Sequence, residues 1–284
     1  MHYHGEGIAV SHESAMQCFR QAAEKGDLVA QYWLGLAYMT GDGVPQNLNE
    51  SVKWIRSAAE QGEPDAQWQL GQFFRDGNGV PQDYSHSFKW FNLAANQNIP
   101  EAECELARQL QLGLGVERNE HLAQQWYRAA ADQGYPAAEY NLGYLSAGRG
   151  DYADAVQRFS RAINAGFNEA HVGMGKLAEA GHMTGTPDRE VARALYLHAA
   201  QNGSTEGQYR LGYLLMENYL DREGAEPWLL QAAEKGHVMA ESSLGVLYAQ
   251  MGRMENAEKW IGAAALHGFE LARENYRLLF DRDP

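Results

Sequence analysis

One pattern recurs along the whole chain, and it leaves few folds open. Its clearest copy runs from Ala30 to Gly62, AQYWLGLAYMTGDGVPQNLNESVKWIRSAAEQG, and reads as helix, Gly/Pro loop, helix. Ala30, Leu34, Gly35 and Tyr38 fall at helical spacing on one face. Gly35 would cost an isolated helix about 1 kcal/mol against alanine. Its presence therefore points to a second helix backbone approaching closely. Gly41-Asp42-Gly43-Val44-Pro45 supplies two residues free to take positive φ and one with φ fixed. Asn49 or Ser51 is predicted to cap the second helix. That helix turns Trp54, Ile55, Ala58 and Ala59 inward and stops at Gly62, where glycine closes a helix in the left-handed conformation.

The same columns reappear down the chain. The helix-ending position reads Gly26, Gly62, Asn98, Gly134, Gly166, Gly203, Gly236 and Gly268. Spacings are 36 residues in the first half and 32 to 37 later. The first-helix pair reads Leu34-Gly35, Leu70-Gly71, Leu106-Ala107, Leu142-Gly143, Met174-Gly175, Leu211-Gly212 and Leu244-Gly245. Pro64, Pro100 and Pro136 share one place, in the first turn of a first helix, where proline is tolerated. Such self-similarity marks a stacked array. One helix pair cannot bury its apolar face alone, and stacking the next pair on it does.

The AxxxLGxxY helix, the GxGVPQ loop and the W-[FI]-x-x-AAxxG helix resemble the Sel-one-like repeat (SLR) family, relatives of tetratricopeptide repeats. The likeness covers almost the whole chain. The repeats starting at Ala138 and Ala240 lack the extra loop residues and fall in the tetratricopeptide register, with Gly143, Ala155, Phe159, Ala162 and Gly245, Ala257, Ile261, Ala264. The resemblance implies an all-α, right-handed solenoid superhelix of stacked antiparallel helix pairs, with first helices lining a concave groove. About seven full repeats and a half repeat at each end are expected, as one domain over residues 1–284. Such proteins usually act by holding other proteins.

Charge narrows the partners. The formal balance is −14, from 23 basic and 37 acidic residues. Duplex nucleic acid and anionic membranes call for a basic surface, so neither is expected. A basic partner protein is allowed, although acidic charge also simply keeps an array soluble. Cys18 and Cys104 lie more than two repeats apart. Packed helices sit ~8–10 Å between axes, so the two are beyond disulfide reach. The cysteine-stapled branch of the SLR family is thereby excluded. No apolar run of membrane-spanning length and no signal peptide is visible, so a cytoplasmic location is the default. Gly5 aligns with Gly41, Gly77 and Gly113. The chain is thus expected to open at the end of a missing first helix, with either Met1 native and an unusual cap or an upstream segment left out. If an upstream segment was removed, a periplasmic location is open.

Trp54, Trp90, Trp126, Trp228 and Trp260 form a second-helix column, read as core packing between repeats. Pro227, early in a second helix, is expected in its first turn or at a kink. Changes of curvature are expected near Gly148–Asp151 and Gly181–Pro187, where the loops depart from the pattern. The last helix, about 271–280, carries Arg273, Glu274, Arg277 and Asp281 and reads as a polar terminal cap.

Enzyme signatures are missing: there is no HExxH, CxxC, GxSxG, Walker loop or SxxK. Gly173–Ala178 matches GxGxxA, but a dinucleotide site needs a preceding strand, and Gly175 is a repeat glycine inside a helix. His2 and His4 form an HxH pair, read as a terminal segment rather than a metal site. The Gly-Asp-Gly loops offer one carboxylate each, too few for calcium. No cofactor is expected.

The first-helix positions that vary between repeats are better candidates. Two before the glycine stand Trp33, Gln69, Glu105 and Arg210; one beyond it stand Arg108, Tyr144, Lys176 and Tyr213; a turn on lies Arg75. By tetratricopeptide geometry these face the concave side. Trp33, Gln69, Arg75, Arg108, Tyr144, Lys176, Arg210 and Tyr213 are the candidate partner-binding residues, several of them of types enriched at hot spots. The alternative is an ordinary exposed helix face. The reading that follows is a non-catalytic scaffold holding another protein. Within that class lies an immunity protein neutralising a secreted bacterial toxin, such as a phospholipase-type effector. A rival of another class is an enzyme or cell-wall-ligand binder using Glu105 and Glu179.

Overall fold

The repeat glycine proves to be a socket for one large side chain of the second helix. In the structure, a computed structural model that describes residues 12–281 and 283–284, a Cβ added at Gly35 would stand 2.6 Å from Ile55. At Gly71 it would stand 2.6 Å from Phe91, at Gly143 2.7 Å from Phe159 and at Gly175 2.5 Å from Tyr196. Gly212 receives Leu229 and Gly245 receives Ile261 in the same way. Each of these large side chains is at most 1% exposed. Burying one contributes about 1.5–3 kcal/mol, which outweighs the helix propensity lost at the glycine.

Sixteen helices make up the secondary structure of the described residues, and no strand occurs among them. In order they are α1 (His12–Glu24), α2 (Leu28–Thr40), α3 (Leu48–Glu60), α4 (Pro64–Asp76), α5 (Tyr84–Ala95), α6 (Pro100–Leu112), α7 (Glu120–Asp132) and α8 (Pro136–Gly148). There follow α9 (Tyr152–Asn164), α10 (Glu169–Glu179), α11 (Arg189–Gln201), α12 (Thr205–Asn218), α13 (Arg222–Glu234), α14 (Val238–Gln250), α15 (Met254–Leu266) and α16 (Glu270–Phe280). Even-numbered helices are the first helices of the repeats, and each from α2 to α14 packs on the second helix that follows it. The fold is all-α, built of about seven helix-pair repeats. It divides into two compact units, one ending at Ala138 and one running from Glu139 to Pro284. His2, His4 and the loop expected around Gly5 lie outside the described residues.

The punctuation follows the sequence closely. Gly26, Gly62, Gly134, Gly166, Gly203, Gly236 and Gly268 take φ between 80° and 98°, and Asn98 takes 62°. Pro64 and Pro100 open α4 and α6. The second helix of the clearest repeat starts earlier than predicted. Asn47, not Asn49 or Ser51, is its cap, accepting a bond from the Glu50 N–H. The reason is the loop: the Asn47 N–H bonds the Tyr38 carbonyl at 2.8 Å, which fixes Asn47 in extended backbone. Pro227 lies inside α13 and is exposed.

The tryptophan column is not the core. Trp54, Trp90, Trp126, Trp228 and Trp260 are all half-buried. Their C-terminal neighbours Ile55, Phe91, Tyr127, Leu229 and Ile261 are 0% exposed. Successive helical residues point about 100° apart, so only one of two adjacent columns can enter the glycine socket. The tryptophans instead lie along the flank. Trp54 packs on the cluster of Met16, Ala30 and Leu34, and Ile55 on the following one with Leu70 and Phe73.

A second column joins the repeats through hydrogen bonds. In the first unit, buried Gln31 donates to the Ala23 carbonyl at 3.1 Å and accepts from Gln61 at 2.7 Å. Gln67 repeats this with Ala59 at 3.2 Å and Gln97 at 2.8 Å. Glu103 takes the equivalent place and accepts from Gln133 at 2.9 Å. In the second unit the column is less uniform. Gln208 accepts from Lys235 at 3.1 Å, and buried Glu241 meets His267 at 2.9 Å. Gln31, Gln67 and Gln208 each tie the end of the preceding second helix to the end of their own, the last through the Ala200 carbonyl at 3.4 Å.

Candidate protein-binding faces

The first-helix face of the first unit carries four of the candidate residues. Trp33 is 42% exposed and sits beside Tyr32 over a shallow pocket shared with Met16 and Leu36. Gln69 was expected on this face, but it is 8% exposed and has little surface to offer a partner. Arg75 of α4 and Arg108 of α6 converge on one carboxylate. Arg75 Nη1 lies 3.0 Å from Glu105 Oε1, and Arg108 Nη2 lies 2.9 Å from Glu105 Oε2. Arg75 also bonds Asp76 at 2.7 and 2.9 Å, and those bonds hold the Asp76 carboxyl below the usual carboxylate range. Two cations and two anions balance here, so a partner would meet a paired, half-buried surface.

The second unit concentrates charge and aromatic rings more tightly. Glu206, in the first turn of α12, is the hub. Its Oε1 takes Lys176 Nζ at 3.0 Å and Arg210 Nε at 2.8 Å, and its Oε2 faces His237 Nε2 at 3.0 Å. The bond from His237, with those from Arg210 and Lys176, holds the Glu206 carboxyl far below the usual range despite its burial. Rings line the cations. Lys176 Nζ lies 5.7 Å from the Tyr144 centroid, and the Arg210 guanidinium 5.5 Å from that of Tyr209, within cation–π range. His237 stacks on the other partner of that set, Tyr209, at 4.6 Å.

Tyr144 and Tyr213 differ in kind. Tyr144 packs edge-on against Tyr140 at 4.9 Å and Phe159 at 5.2 Å, and is half-buried among core residues. Tyr213 is 38% exposed and opens onto a cleft of about 250 Å³ with Met239, Val246, Phe269 and Leu271 on its walls. The structure therefore gathers Tyr144, Lys176 and Arg210 into one cluster and sets Tyr213 beside it. Sequence reasoning missed Glu206 and His237. Glu206 was within reach, since Glu206 and Arg210 are an i, i+4 pair of the favoured orientation. His237 was not, because it comes from the start of the next repeat.

The rival catalytic carboxylates are engaged elsewhere. Glu105 is bridged by two arginines, and Glu179 accepts the Tyr196 hydroxyl at 2.8 Å. Among the described residues no group of three His, Cys, Asp or Glu is placed to hold a metal ion, and no helix is long and apolar enough to cross a membrane. Neither Cys18 nor Cys104 is in a disulfide.

The pattern of the Sel1 repeat matches residues 1–27, 28–63, 64–99, 100–135, 136–166, 168–204 and 205–237. The chain belongs to the Sel1 repeat family. Helices α14 to α16 continue the series beyond the matched span. Among solved structures, the chain is similar to a Sel1 repeat protein of Oxalobacter formigenes, at 33% identity and a TM-score of 0.66, covering 87% of this chain and 73% of that one. It is also similar to a protective antigen of uropathogenic Escherichia coli with an SLR fold, at 31% identity and a TM-score of 0.52, covering 97% and 69%. An immunity protein of Pseudomonas aeruginosa shares the fold at 17% identity and a TM-score of 0.52, over 77% and 81% of the two chains. The DAP3-binding cell death enhancer 1 of Mus musculus is 35% identical over 182 residues. That match takes in 49% of this Sel1 repeat chain and only 36% of the mouse protein.

Proposed function

We propose that this Sel1 repeat protein is a non-catalytic scaffold that holds another protein against its first-helix faces, with the main contact on the second unit. The observation that carries this is the cluster around Glu206. Lys176 and Arg210 are each fixed by an ion pair and a tyrosine ring, and Tyr213 is exposed beside them. Tyrosine and arginine are the types that dominate binding hot spots. Side chains already held in place lose little freedom on association. The mouse relative's name records a bound protein, which fits the same mode of action.

The specific role within that class is open to one decisive comparison. An inhibitor of a toxin should bind one protein tightly and abolish its activity, whereas an adaptor should leave the activity intact. The test is affinity capture from the source cell with the intact chain and with a Lys176→Ala, Arg210→Ala, Tyr213→Ala variant, followed by mass spectrometry. A single protein lost with the variant is expected, and assaying that protein's activity with and without the chain separates the two roles. If every captured protein is held equally by the variant, the second unit's first-helix face is not the binding surface.

A further inference from the structure

The dipeptide Asn-Gly occurs twice in the chain, as Asn78-Gly79 and as Asn202-Gly203. It is the dipeptide most open to an internal reaction, because glycine has no side chain to keep its nitrogen from the preceding carboxamide. Both asparagines are exposed, so access of water does not separate them. Hydrogen bonding does. Asn202 closes α11 with its backbone at φ −91° and ψ 19°. Its Nδ2 donates to the His198 carbonyl at 2.8 Å, and its backbone N–H donates to the same carbonyl at 3.2 Å. The Gly203 N–H donates to the Ala200 carbonyl at 3.0 Å. Carboxamide and nitrogen are both engaged there, and the nitrogen is aimed into the helix end, away from the side chain.

Asn78 is placed differently. It lies in the loop between α4 and α5, flanked by Gly77 and Gly79 at φ 74° and 71°. Its backbone N–H donates to the Phe73 carbonyl at 3.1 Å. Among the described residues its carboxamide has no hydrogen-bond partner, and the Gly79 N–H has no acceptor. An N–H without an acceptor yields its proton to solvent base more readily, and a free carboxamide can turn to meet the nitrogen. The glycine on either side gives the main chain the freedom that this turn needs.

We propose that Asn78 is a modification site, converted by its own backbone and water to aspartate and isoaspartate, while the fold protects Asn202. The Gly79 nitrogen, its proton taken by solvent base, bonds to Asn78 Cγ. The Cγ–Nδ2 bond breaks, and Nδ2 leaves as ammonia with a proton returned from solvent. Water then opens the cyclic imide. Breaking the bond from the nitrogen to Cγ gives aspartate. Breaking its bond to the main-chain carbonyl carbon gives isoaspartate, with the chain rerouted through the side chain. One water enters, one ammonia leaves, and nothing is oxidised or reduced. The two products fit differently. The preceding repeat carries Asp42 at this place, so aspartate suits the loop. Isoaspartate adds one carbon to the main chain just ahead of Gly79, where there is no room to shift. Even a Cβ on Gly79 would come within 3.0 Å of the Leu48 carbonyl oxygen and of Val52. The isoaspartyl form therefore loosens the seam between the copies 28–63 and 64–99. The reaction belongs to the first unit and does not depend on the role given to the Glu206 cluster.

The test incubates the full chain at neutral and at mildly alkaline pH and follows both sites by peptide mapping with mass spectrometry. Electron-transfer fragmentation tells isoaspartate from aspartate. Conversion at Asn78 should outrun that at Asn202 by roughly tenfold or more, because Asn202 and Gly203 must first give up two hydrogen bonds. It should also speed up as pH rises, since the attacking nitrogen must lose its proton. In urea, with the chain unfolded, the two rates should draw together. Equal rates in the folded chain, or no conversion at Asn78, would overturn the proposal. So would the same rate ratio in urea, which would credit the flanking sequence rather than the fold. The products are tested by urea unfolding. Fresh Asn78→Asp and Asn78→Ser should unfold close to fresh wild type. Aged wild type, enriched in isoaspartate, should unfold at a lower urea concentration than Asn78→Asp, and Asn78→Ser aged alongside should not change. Aged wild type as stable as Asn78→Asp would overturn the effect assigned to the seam.

Discussion

Replacing Glu103 by glutamine should stabilise the first unit. Glu103 is 2% exposed in α6 and occupies the place of Gln31 and Gln67. Those glutamines give one hydrogen bond to a carbonyl eight residues earlier and accept one from a glutamine thirty residues later. Glu103 accepts its bond from Gln133 at 2.9 Å, but an ionised carboxylate has no proton to give to the Ala95 carbonyl, the counterpart of Ala23 and Ala59. Burial pushes the Glu103 carboxyl pKa up, and the Gln133 bond offsets part of that rise. Glu103→Gln supplies the missing donor and removes a buried charge. One buried hydrogen bond is worth about 1 kcal/mol net, and relief of the charge brings the total to roughly 1–2 kcal/mol near pH 7. For a chain of this size each kcal/mol moves Tm by about 2–4 °C. The sign with pH is fixed. A carboxyl with a raised folded pKa lets the native state hold a proton that the unfolded chain has released. Stability therefore falls as pH rises from the ordinary glutamate value, about 4.3, through the folded one, and stays lower above it. The advantage of the variant should be full at pH 7 and fade near pH 4, where protonated Glu103 can itself donate to Ala95. Urea unfolding of both proteins at the two pH values, at equal m, measures this. A variant no more stable than wild type at pH 7, or an advantage of the same size at pH 4, would refute the reasoning.

Gly71→Ala gains about 1 kcal/mol of helix propensity but places a Cβ 2.6 Å from the Phe91 ring, an overpacking cost of about 1–3 kcal/mol. The net effect in denaturant should be destabilising and should shrink in a Phe91→Leu background. Phe91→Ala should cost about 3–5 kcal/mol, and Trp90→Ala distinctly less, because only Phe91 is 0% exposed. Tyr213→Ala should leave the melting temperature near wild type, whereas Tyr144→Ala should lower it through lost contacts with Tyr140 and Phe159. Glu206→Gln should cost roughly 1.5–3 kcal/mol of charge-assisted hydrogen bonding at pH 7. Because the folded pKa of Glu206 is depressed, wild type should lose that advantage as pH falls below the ordinary carboxylate range, closing the gap in parallel acid titrations.

The fold was legible because its decisive residues are small. Glycine at the end of a second helix and glycine inside a first helix each have one physical reason to recur, and both reasons hold at Gly62 and Gly35. The core column was less legible. Trp90 and Phe91 are adjacent and both aromatic, and only the position of the Gly71 socket decides between them. The last helix carries its polar residues where the sequence put them, with Glu274, Arg277 and Asp281 exposed, while exposed Leu271 and Leu278 lie on another face of α16, which a count of polar residues does not show. At the candidate face, Arg210 and Lys176 stood out as residue types. Their shared anion did not, because Lys176 and His237 reach Glu206 from flanking helices about thirty residues away on either side.

The glycine sockets carry a consequence for how such chains change length. Gly35 and Ile55, or Gly71 and Phe91, belong to the same repeat, so each of these sockets is filled inside its own copy. A repeat that is duplicated or lost takes its matched pair with it, and no neighbour has to be resized. What must be remade at the seam is a hydrogen bond such as Gln67 to Ala59 and a loop contact such as Gly115 against Tyr84, and the copies 28–63 and 64–99 both keep glutamine on the two sides of the hydrogen-bonded joint. The copies 28–63 and 64–99 are therefore interchangeable parts, whereas the joints of Gln208 with Lys235 and Glu241 with His267 are keyed to their places. First-helix surface can be lengthened or shortened by copies of these two repeats at small cost to stability, while the second unit has individual joints that hold its order.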